Sequence, residues 1–247
     1  MEENKNLQVT KDSLPAEFQE AFNEDLNNNM EGIQARLPQI TINHKECQFN
    51  IPTSSGGEIT QELNGIVLHH QKVNVYFISA QDKQPTCSSL DAKIPEEGQG
   101  RVKQAQHCIS CQKNQFGSGK DGSGKACKNM IRLHVKLENS IIPLRLSVPP
   151  TSIAEYEQFV TMLARESIPV LTIKTKITLE KKEKGSIIWS VLKFKNQERL
   201  TVEQWQEMRA IRKLYLDSMA RQPIEVEEYS GATSEESSNL DEDDTPF

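Results

Sequence analysis

The sequence contains few aromatic residues, few cysteines and no long apolar run. Aromatic residues make up 6% of the 247 positions, and the five cysteines are too few for a disulfide-stapled scaffold. Apolar stretches such as residues 140–144 are far shorter than the roughly 20 residues that a membrane-spanning helix needs. The first residues also lack the basic and apolar regions of a secretory signal. We therefore expect a soluble protein of the cytosol with no membrane partner.

Basic residues are absent after Arg221, and nine acidic residues lie in that last part of the chain. Residues 1–35 are also acidic, with eight acids and two bases, whereas residues 36–221 carry a net charge of +9. A basic body between acidic ends is typical of a protein whose body binds a polyanion. An acidic tail can also serve only to keep a protein soluble.

Hydrophobic periodicity divides the chain into helices and strands. A spacing of four between apolar residues predicts a helix over residues 13–33. Capping boxes at Ser152 with Glu155 and at Thr201 with Gln204 predict two further helix starts. In the strand over residues 131–138, alternation places Ile131, Leu133, Val135 and Leu137 inward and Arg132, His134, Lys136 and Glu138 outward. The other predicted strands cover residues 66–79, 141–148, 170–180 and 187–195.

The order of these elements predicts the fold class. Strand, long insertion, strand, strand, helix, strand, strand is the order of an OB-fold, a five-stranded Greek-key barrel. We therefore expect a mainly β protein with flanking helices, an OB-fold-like barrel, an inserted zinc-binding loop and a disordered acidic tail. The predicted parts are a helical acidic segment (1–35), the barrel (36–200) with its zinc insertion (85–128), a C-terminal helix (201–221) and the tail (222–247).

Four cysteines of the insertion have metal-ligand spacing. The pattern C-x20-C-x2-C-x15-C can supply the four thiolates of a tetrahedral structural Zn²⁺ site. Two disulfides, unrelated buried thiols, or His107 as a substitute ligand are the alternatives, and Cys47 is left over as an incidental thiol. The predicted zinc ligands are Cys87, Cys108, Cys111 and Cys127.

A glycine-rich segment lies between the last two of these cysteines. Gly119 to Lys125 fits G-x4-G-K, but Ala126 stands where a phosphate-binding loop needs Ser or Thr, so nucleotide hydrolysis is not expected. The loop can still contact a phosphodiester backbone, or it can be a flexible connector. The residues that would bind DNA here are Phe116, Lys120, Lys125 and Lys128, with Lys113 beside them.

No enzyme signature is present in the sequence. No histidine is followed two residues later by Glu, as a zinc deaminase requires. No Ser-His-Asp or paired-carboxylate constellation is present either, so we expect a protein that is not an enzyme.

Lysines alternate along the two last predicted strands. Lysines neutralise phosphates and an aromatic ring stacks on a base, so such a face is suited to a single strand. Alternatively, Trp189 lies in the core and the lysines form a solvated rim. The candidate DNA-binding residues here are Lys174, Lys176, Trp189, Lys193 and Lys195, with Tyr76 on an earlier strand.

The sequence ends NLDEDDTPF. This end resembles the acidic tip of bacterial single-stranded-DNA-binding proteins, in which a run of aspartates precedes Pro-Phe; Thr245 departs from the usual Ile. The layout of the body is similar to that of the helix-destabilising proteins of T-even phages, an OB-fold with an inserted zinc subdomain and an acidic tail. The resemblance to the bacterial tip implies that these residues bind partner proteins: Asp241, Glu242, Asp243, Asp244, Pro246 and Phe247.

These features predict a protein that binds single-stranded DNA without strong preference for a nucleotide sequence. The protein is expected to bind and protect single-stranded DNA during replication, recombination and repair of a phage or mobile element. Its acidic tip is expected to recruit replication and recombination proteins. The alternative is a zinc-ribbon adaptor or transcription-type factor that binds protein or duplex DNA.

Overall fold

The computed structural model describes residues 15–30, 36–79, 82, 84–97, 101–122, 124–138, 140–185 and 187–226. The chain separates into two compact units, Met1–Arg36 and Leu37–Phe247. None of the helices in these described ranges is both long enough and apolar enough to cross a membrane.

In the described part of the first unit, the chain forms helix α1 (Ala16–Met30). It lies within the range that the apolar spacing predicts. The helix begins directly after Pro15, whose carbonyl oxygen accepts a hydrogen bond from the Phe18 amide at 2.9 Å. Proline is well suited to a helix start because its fixed φ is helical and its missing N–H would have no partner there.

The second unit is mainly β, with a sheet curled into a half-barrel. Its strands are β1 (Gln39–Asn43), β2 (Gln48–Thr53), β3 (Gly56–Thr60), β4 (Glu62–Tyr76), β5 (Cys87–Ser89), β6 (Lys128–Leu137), β7 (Leu144–Val148), β8 (Ile173–Lys184) and β9 (Ile187–Arg199). Within the described part the strands follow the order β3-β2-β1-β7-β6-β4-β8-β9, and β5 pairs with β4. The β1–β7 pair is parallel and the other pairs are antiparallel.

Strand β4 is the centre of the curl because it pairs with β8 at its start and with β6 along the rest of its length. Its register with β6 shifts between Val67 and His69, and such a bulge increases local bending and twist. Gly65 lies close to β6, where a Cβ would be 2.7 Å from the Lys136 carbonyl oxygen. The predicted order of five strands and one helix is confirmed, whereas β1 to β3 and the short β5 were not predicted.

The core lies on the inner face of the sheet. Ile131, Leu133 and Val135 of β6 are buried there, as alternation predicts, and Tyr156 of α2 (Ile153–Arg165) packs against the same cluster. Burial of these large apolar side chains contributes roughly 1.5–3 kcal/mol each. The inner face therefore accounts for the assembly of β4, β6 and β7 with α2.

The opposite face of β6 differs from the prediction. Arg132 and His134, expected to be exposed, are both 0% exposed. Helix α3 (Val202–Arg221) packs over this side of the sheet through Met208 and Met219, which contact Leu68 of β4. Alternation within one strand does not reveal a second layer, because the apolar stripe that covers it lies 70 residues further along the chain.

The two predicted capping boxes have different outcomes. At α3, Thr201 and Gln204 cap each other as predicted, with the Gln204 amide donating to Thr201 Oγ1 at 3.3 Å. At α2, Ser152 makes no capping hydrogen bond. Its Oγ instead accepts from the Leu192 amide of β9 at 3.0 Å, so this part of the prediction was wrong. The Ser152 hydroxyl accepts a hydrogen bond from β9 in place of the helix amide that a capping box would require.

Residues 222–226, here called the C-terminal strap, pack against the sheet although they were predicted to be disordered. Ile224 is 3% exposed and lies in a cluster with Val73 and Val75 of β4. Arg132 Nη1 donates to the Gln222 carbonyl oxygen at 2.6 Å. The predicted tail therefore begins later than residue 222. Its remaining residues, 227–247, lie outside the described residues, as do all six predicted partner-binding positions.

Candidate nucleic-acid interface

The four predicted zinc ligands line one small cavity. Its volume is about 10 Å³, and Cys87, Cys108, Cys111 and Cys127 all contribute to its wall. Three of them are buried and Cys87 is half-buried. None of the five cysteines is in a disulfide. The fold thus brings together thiols that are up to 40 positions apart in the sequence.

The backbone around these cysteines is fixed by turns and strand pairing. Cys108 begins a short 3₁₀ turn, in which the Cys111 amide donates to the Cys108 carbonyl oxygen at 3.3 Å. The Cys127 amide donates to the Lys113 carbonyl oxygen at 2.8 Å. Cys87 is opposite Tyr76 in the β4–β5 pair. A strand edge, a tight turn and the start of β6 therefore supply the four thiols.

Burial and the neighbouring sulfurs disfavour free thiolates in this cluster. Burial raises the pKa of Cys127 to about 12, with Cys108, Cys87 and Cys111 adding to the effect. Burial also raises the pKa of Cys87, and a hydrogen bond from the Gln104 backbone N–H partly offsets this increase. Thiolate ligands need a cation to offset their charge, and a buried four-sulfur set fits the preference of Zn²⁺.

The side chains are not gathered around a single point. Across the described ranges, no group of three or more His, Cys, Asp or Glu has the geometry of a metal site. The donor chemistry, the burial and the shared cavity are what favour zinc here, and zinc stays a prediction.

Tyr76 lies in the wall of the cysteine cavity and not on an open DNA-facing surface. The Nζ atom of Lys113 lies 5.5 Å from the centroid of its ring, a cation–π distance. Phe116 is 69% exposed in the glycine-rich segment, and Lys125 Nζ donates to Asn129 Oδ1 at 3.1 Å. Burial lowers the pKa of Lys128. The candidates of this segment therefore occupy separate environments.

The β8–β9 pair brings the predicted lysine face together. Lys176 is opposite Lys195, and Lys182 is opposite Trp189. Since opposite residues of an antiparallel pair share a face, the predicted side chains lie on one side of the ribbon. Trp189 is half-buried.

Carboxylates accompany most of these lysines. Lys176 Nζ lies 2.5 Å from Glu62 Oε2, and Lys174 forms an ion pair with Glu138. Lys193 contacts Glu155 at 2.6 Å and Glu180 at 3.2 Å. The hydrogen bond to Glu155 raises the pKa of Lys193. The face is therefore of mixed charge, which weakens its attraction for phosphates.

A larger cleft lies between the sheet, the insertion and the start of α2. Its volume is about 530 Å³, within the range of about 300–1,000 Å³ typical of ligand pockets. Lys72, Lys93 and His107 contribute to its lining, and no acidic side chain of the described residues does. At its rim, Lys72 Nζ lies 2.7 Å from Glu157 of α2. We call this cleft the asparagine groove because of its floor.

Three asparagines form the floor of the asparagine groove. Asn129 Nδ2 donates to Asn74 Oδ1 at 2.5 Å and to Asn114 Oδ1 at 2.9 Å. Asn114 Nδ2 donates in turn to the Cys108 carbonyl oxygen at 2.9 Å. The groove and the cysteine cluster are therefore joined by a direct hydrogen bond.

The sequence interpretation missed the asparagine groove. Its lining comes from five separate segments, and the cysteine motif in one of them indicates metal binding and not a groove. The sequence did contain one signal, because Asn74 and Asn129 stand at positions whose neighbours are mostly apolar. In the structure the two residues are opposite each other in the β4–β6 pair. Buried amides in a strand need partners, which is a reason to look for a polar site.

The outer face of the sheet carries basic residues under the C-terminal strap. Arg145 Nη2 donates to Glu225 Oε2 at 2.8 Å, and Arg145 Nε donates to the Leu37 carbonyl oxygen at 3.0 Å. Burial, together with Arg132, lowers the pKa of His134 to about 2. These groups are inaccessible while the strap is in place, so the asparagine groove is the better candidate for a ligand.

Comparison with protein-family models, with curated proteins and with solved structures gives no match to this chain.

Proposed function

We propose that this protein binds single-stranded DNA and that its body is an OB-fold. The strand order supports the fold: β4, β6, β7, α2, β8 and β9 follow the OB order, and β4 pairs with both β6 and β8. OB-folds bind oligonucleotides with help from the loop between their first two strands. In this chain that loop is the cysteine-bearing insertion, which forms one wall of the asparagine groove.

The absence of acidic side chains from the described lining of the groove is the observation that carries the proposal. Lys93 provides positive charge, Lys72 adds a charge that Glu157 partly offsets at the rim, and the groove has enough volume for a nucleotide. Phosphate contacts by lysine supply affinity that does not depend on sequence. The groove is bordered by the insertion and has the volume of a small-ligand site, which suits one flexible strand better than a duplex.

Zinc has a structural role in this proposal. A Cys87–Cys108–Cys111–Cys127 site would hold the insertion against β4 and β6, and thereby fix the wall of the groove. The insertion has few buried apolar residues of its own, so metal binding would supply folding energy.

The acidic tip completes the proposal. A terminal aromatic residue with a free carboxylate can enter an apolar pocket rimmed by Arg or Lys on a partner protein. We propose that Asp241 to Phe247 recruit replication and recombination enzymes in this way. The whole protein would act in a phage or mobile element within a bacterial cell, without enzyme activity of its own.

A charge-reversal series tests the placement of the strand. Lys93→Glu should weaken binding of a labelled oligo-dT several-fold, measured by fluorescence anisotropy, because it puts a carboxylate into the groove. Lys213→Glu on α3 makes the same charge change outside the groove and should have little effect. Lys174→Glu combined with Lys176→Glu should have a smaller effect than Lys93→Glu, because Glu138 and Glu62 already offset those lysines. A larger loss for the double variant would move the binding face to β8 and β9.

A further inference from the structure

We infer that the asparagine floor of the groove binds a nucleobase, so that the protein holds single-stranded DNA partly by a base and not by phosphates alone. This inference rests on the proposed function and concerns the same groove. The observation that carries it is the hydrogen-bonding chain of Asn74, Asn129 and Asn114 inside a cleft that is otherwise basic and aliphatic.

The hydrogen-bonding capacity of these amides is only partly used. Each asparagine amide has two N–H donors and a carbonyl oxygen with two lone pairs. Asn129 uses both donors within the cluster. Among the described residues, Asn114 Nδ2 has one acceptor at 2.9 Å and Asn74 Nδ2 has one at 3.4 Å. One donor on each of these two side chains, and lone pairs on the oxygens, remain for a ligand.

This remaining capacity matches a base edge better than a phosphate. A phosphodiester offers acceptors only, so the carbonyl oxygens of the floor would repel it. A base edge offers donors and acceptors side by side, and asparagine pairs with such edges through its amide. The lysines at the sides of the groove, Lys72 and Lys93, are in turn suited to the phosphates that flank the bound base.

The walls of the groove suit a flat, apolar ring. Ile109 of the insertion, Ile131 of β6 and Ile153 of α2 all contribute to the lining. Ile109 is 85% exposed, although it is a large aliphatic residue on a polar loop. Aliphatic side chains above and below a base exclude water from its faces, and this strengthens the hydrogen bonds at its edge.

The test compares an oligo-dT with an oligomer of the same length and charge that lacks bases. Wild-type protein should bind oligo-dT at least roughly tenfold more tightly than the abasic strand. A good hydrogen-bonded base contact changes affinity by about this factor. Asn129→Ala should weaken oligo-dT binding more than abasic binding, and so reduce this ratio several-fold. Asn196→Ala, which removes an exposed asparagine on β9, is the matched control and should keep the wild-type ratio.

The outcomes separate the inference from the proposed function. Equal wild-type affinity for both strands, or an unchanged ratio in Asn129→Ala, would overturn the base site while single-strand binding stands. Failure of the wild type to bind either strand would overturn the proposed function. If Asn129→Ala unfolds in a thermal melt, Ile109→Glu decides, because this exposed position can be changed without loss of the core. Ile109→Glu should lower the ratio, and an unchanged ratio would contradict the inference.

Discussion

Arg145 of β7 and Glu225 of the C-terminal strap form an ion pair at 2.8 Å, with the arginine side chain 3% exposed and the glutamate 37% exposed. The pair fixes the strap to the outer face of the sheet, next to the carbonyl groups that accept from Arg132. Glu225 is the first acidic residue after Arg221, and it is part of the folded body. The acidic tail therefore starts from an anchored position.

The strap should contribute measurably to stability. Glu225→Ala removes the carboxylate partner from the buried Arg145 guanidinium, which keeps its hydrogen bond to the Leu37 carbonyl oxygen. The change should lower the free energy of unfolding by about 2 kcal/mol, the typical contribution of a hydrogen bond to a charged group. Urea unfolding measures this change. Asp217→Ala, which breaks the exposed pair with Arg221, is the control and should be nearly neutral. Equal effects of the two variants would show that the strap is not fixed by Glu225.

The cysteine cluster should hold one Zn²⁺ per chain. Cys108→Ser should lose the metal, because three thiolates rarely retain a structural site, and the insertion should become sensitive to proteolysis. Cys47→Ser should keep the metal, since Cys47 lies in the turn between β1 and β2, apart from the cluster. Elemental analysis of protein purified without chelators checks both variants. A wild-type chain without metal would contradict the prediction.

Stability should fall at acidic pH because of buried histidines. Burial and Arg132 lower the pKa of His134 to about 2 in the folded state, against about 6.5 in an unfolded chain. The unfolded state therefore takes up the proton first, and this stabilising contribution is complete above about pH 6.5 and decreases as the pH falls towards the folded pKa. The expected slope for this histidine is about 1.4 kcal/mol per pH unit.

A variant at this position isolates its share of the slope. Burial also lowers the pKa of His69 and His70, so the wild-type slope combines several histidines. His134→Gln should reduce the slope of unfolding free energy between pH 6 and pH 5, measured by urea titration at each pH. An identical slope in wild type and variant would mean that His134 is not buried in its neutral form.

Removing the tip should separate partner binding from DNA binding. Deletion of Asp241 to Phe247 should abolish recovery of replication or recombination enzymes in pull-downs and leave oligo-dT affinity equal or slightly higher. The increase is expected because a tethered acidic segment competes with phosphates for the basic body. Phe247→Ala should lose most partner recovery and retain DNA affinity. Equal recovery by wild type and Phe247→Ala would reduce the tail to a solubilising segment.

Local patterns predicted what depends on neighbours in sequence. The Thr201–Gln204 cap and the inner face of β6 needed only a few consecutive residues, and both are confirmed. The Ser152 cap failed because Leu192 of β9 takes its hydroxyl. Arg132 was misplaced because α3 and the strap add a layer that alternation cannot reveal. Tertiary partners decide such cases.

The candidate site shows the same division. The spacing of the cysteines indicated one shared site, and the fold places them around one cavity. The asparagine groove could not be predicted, because Lys72, Lys93 and Asn114 are brought together only when the insertion folds back against β4 and β6. Whether these residues meet depends on the path of the insertion, a loop of about 50 residues, and no local sequence pattern determines that path.

The proposed groove should take a single strand in preference to a duplex. The most direct measurement is an anisotropy titration of the full chain with labelled oligo-dT and with a duplex of the same length, at low and at moderate salt. We expect tight oligo-dT binding that weakens steeply as salt rises, because counterion release drives phosphate binding, and duplex binding weaker by roughly two orders of magnitude. Duplex binding as tight as oligo-dT binding, or no binding of either, would contradict it.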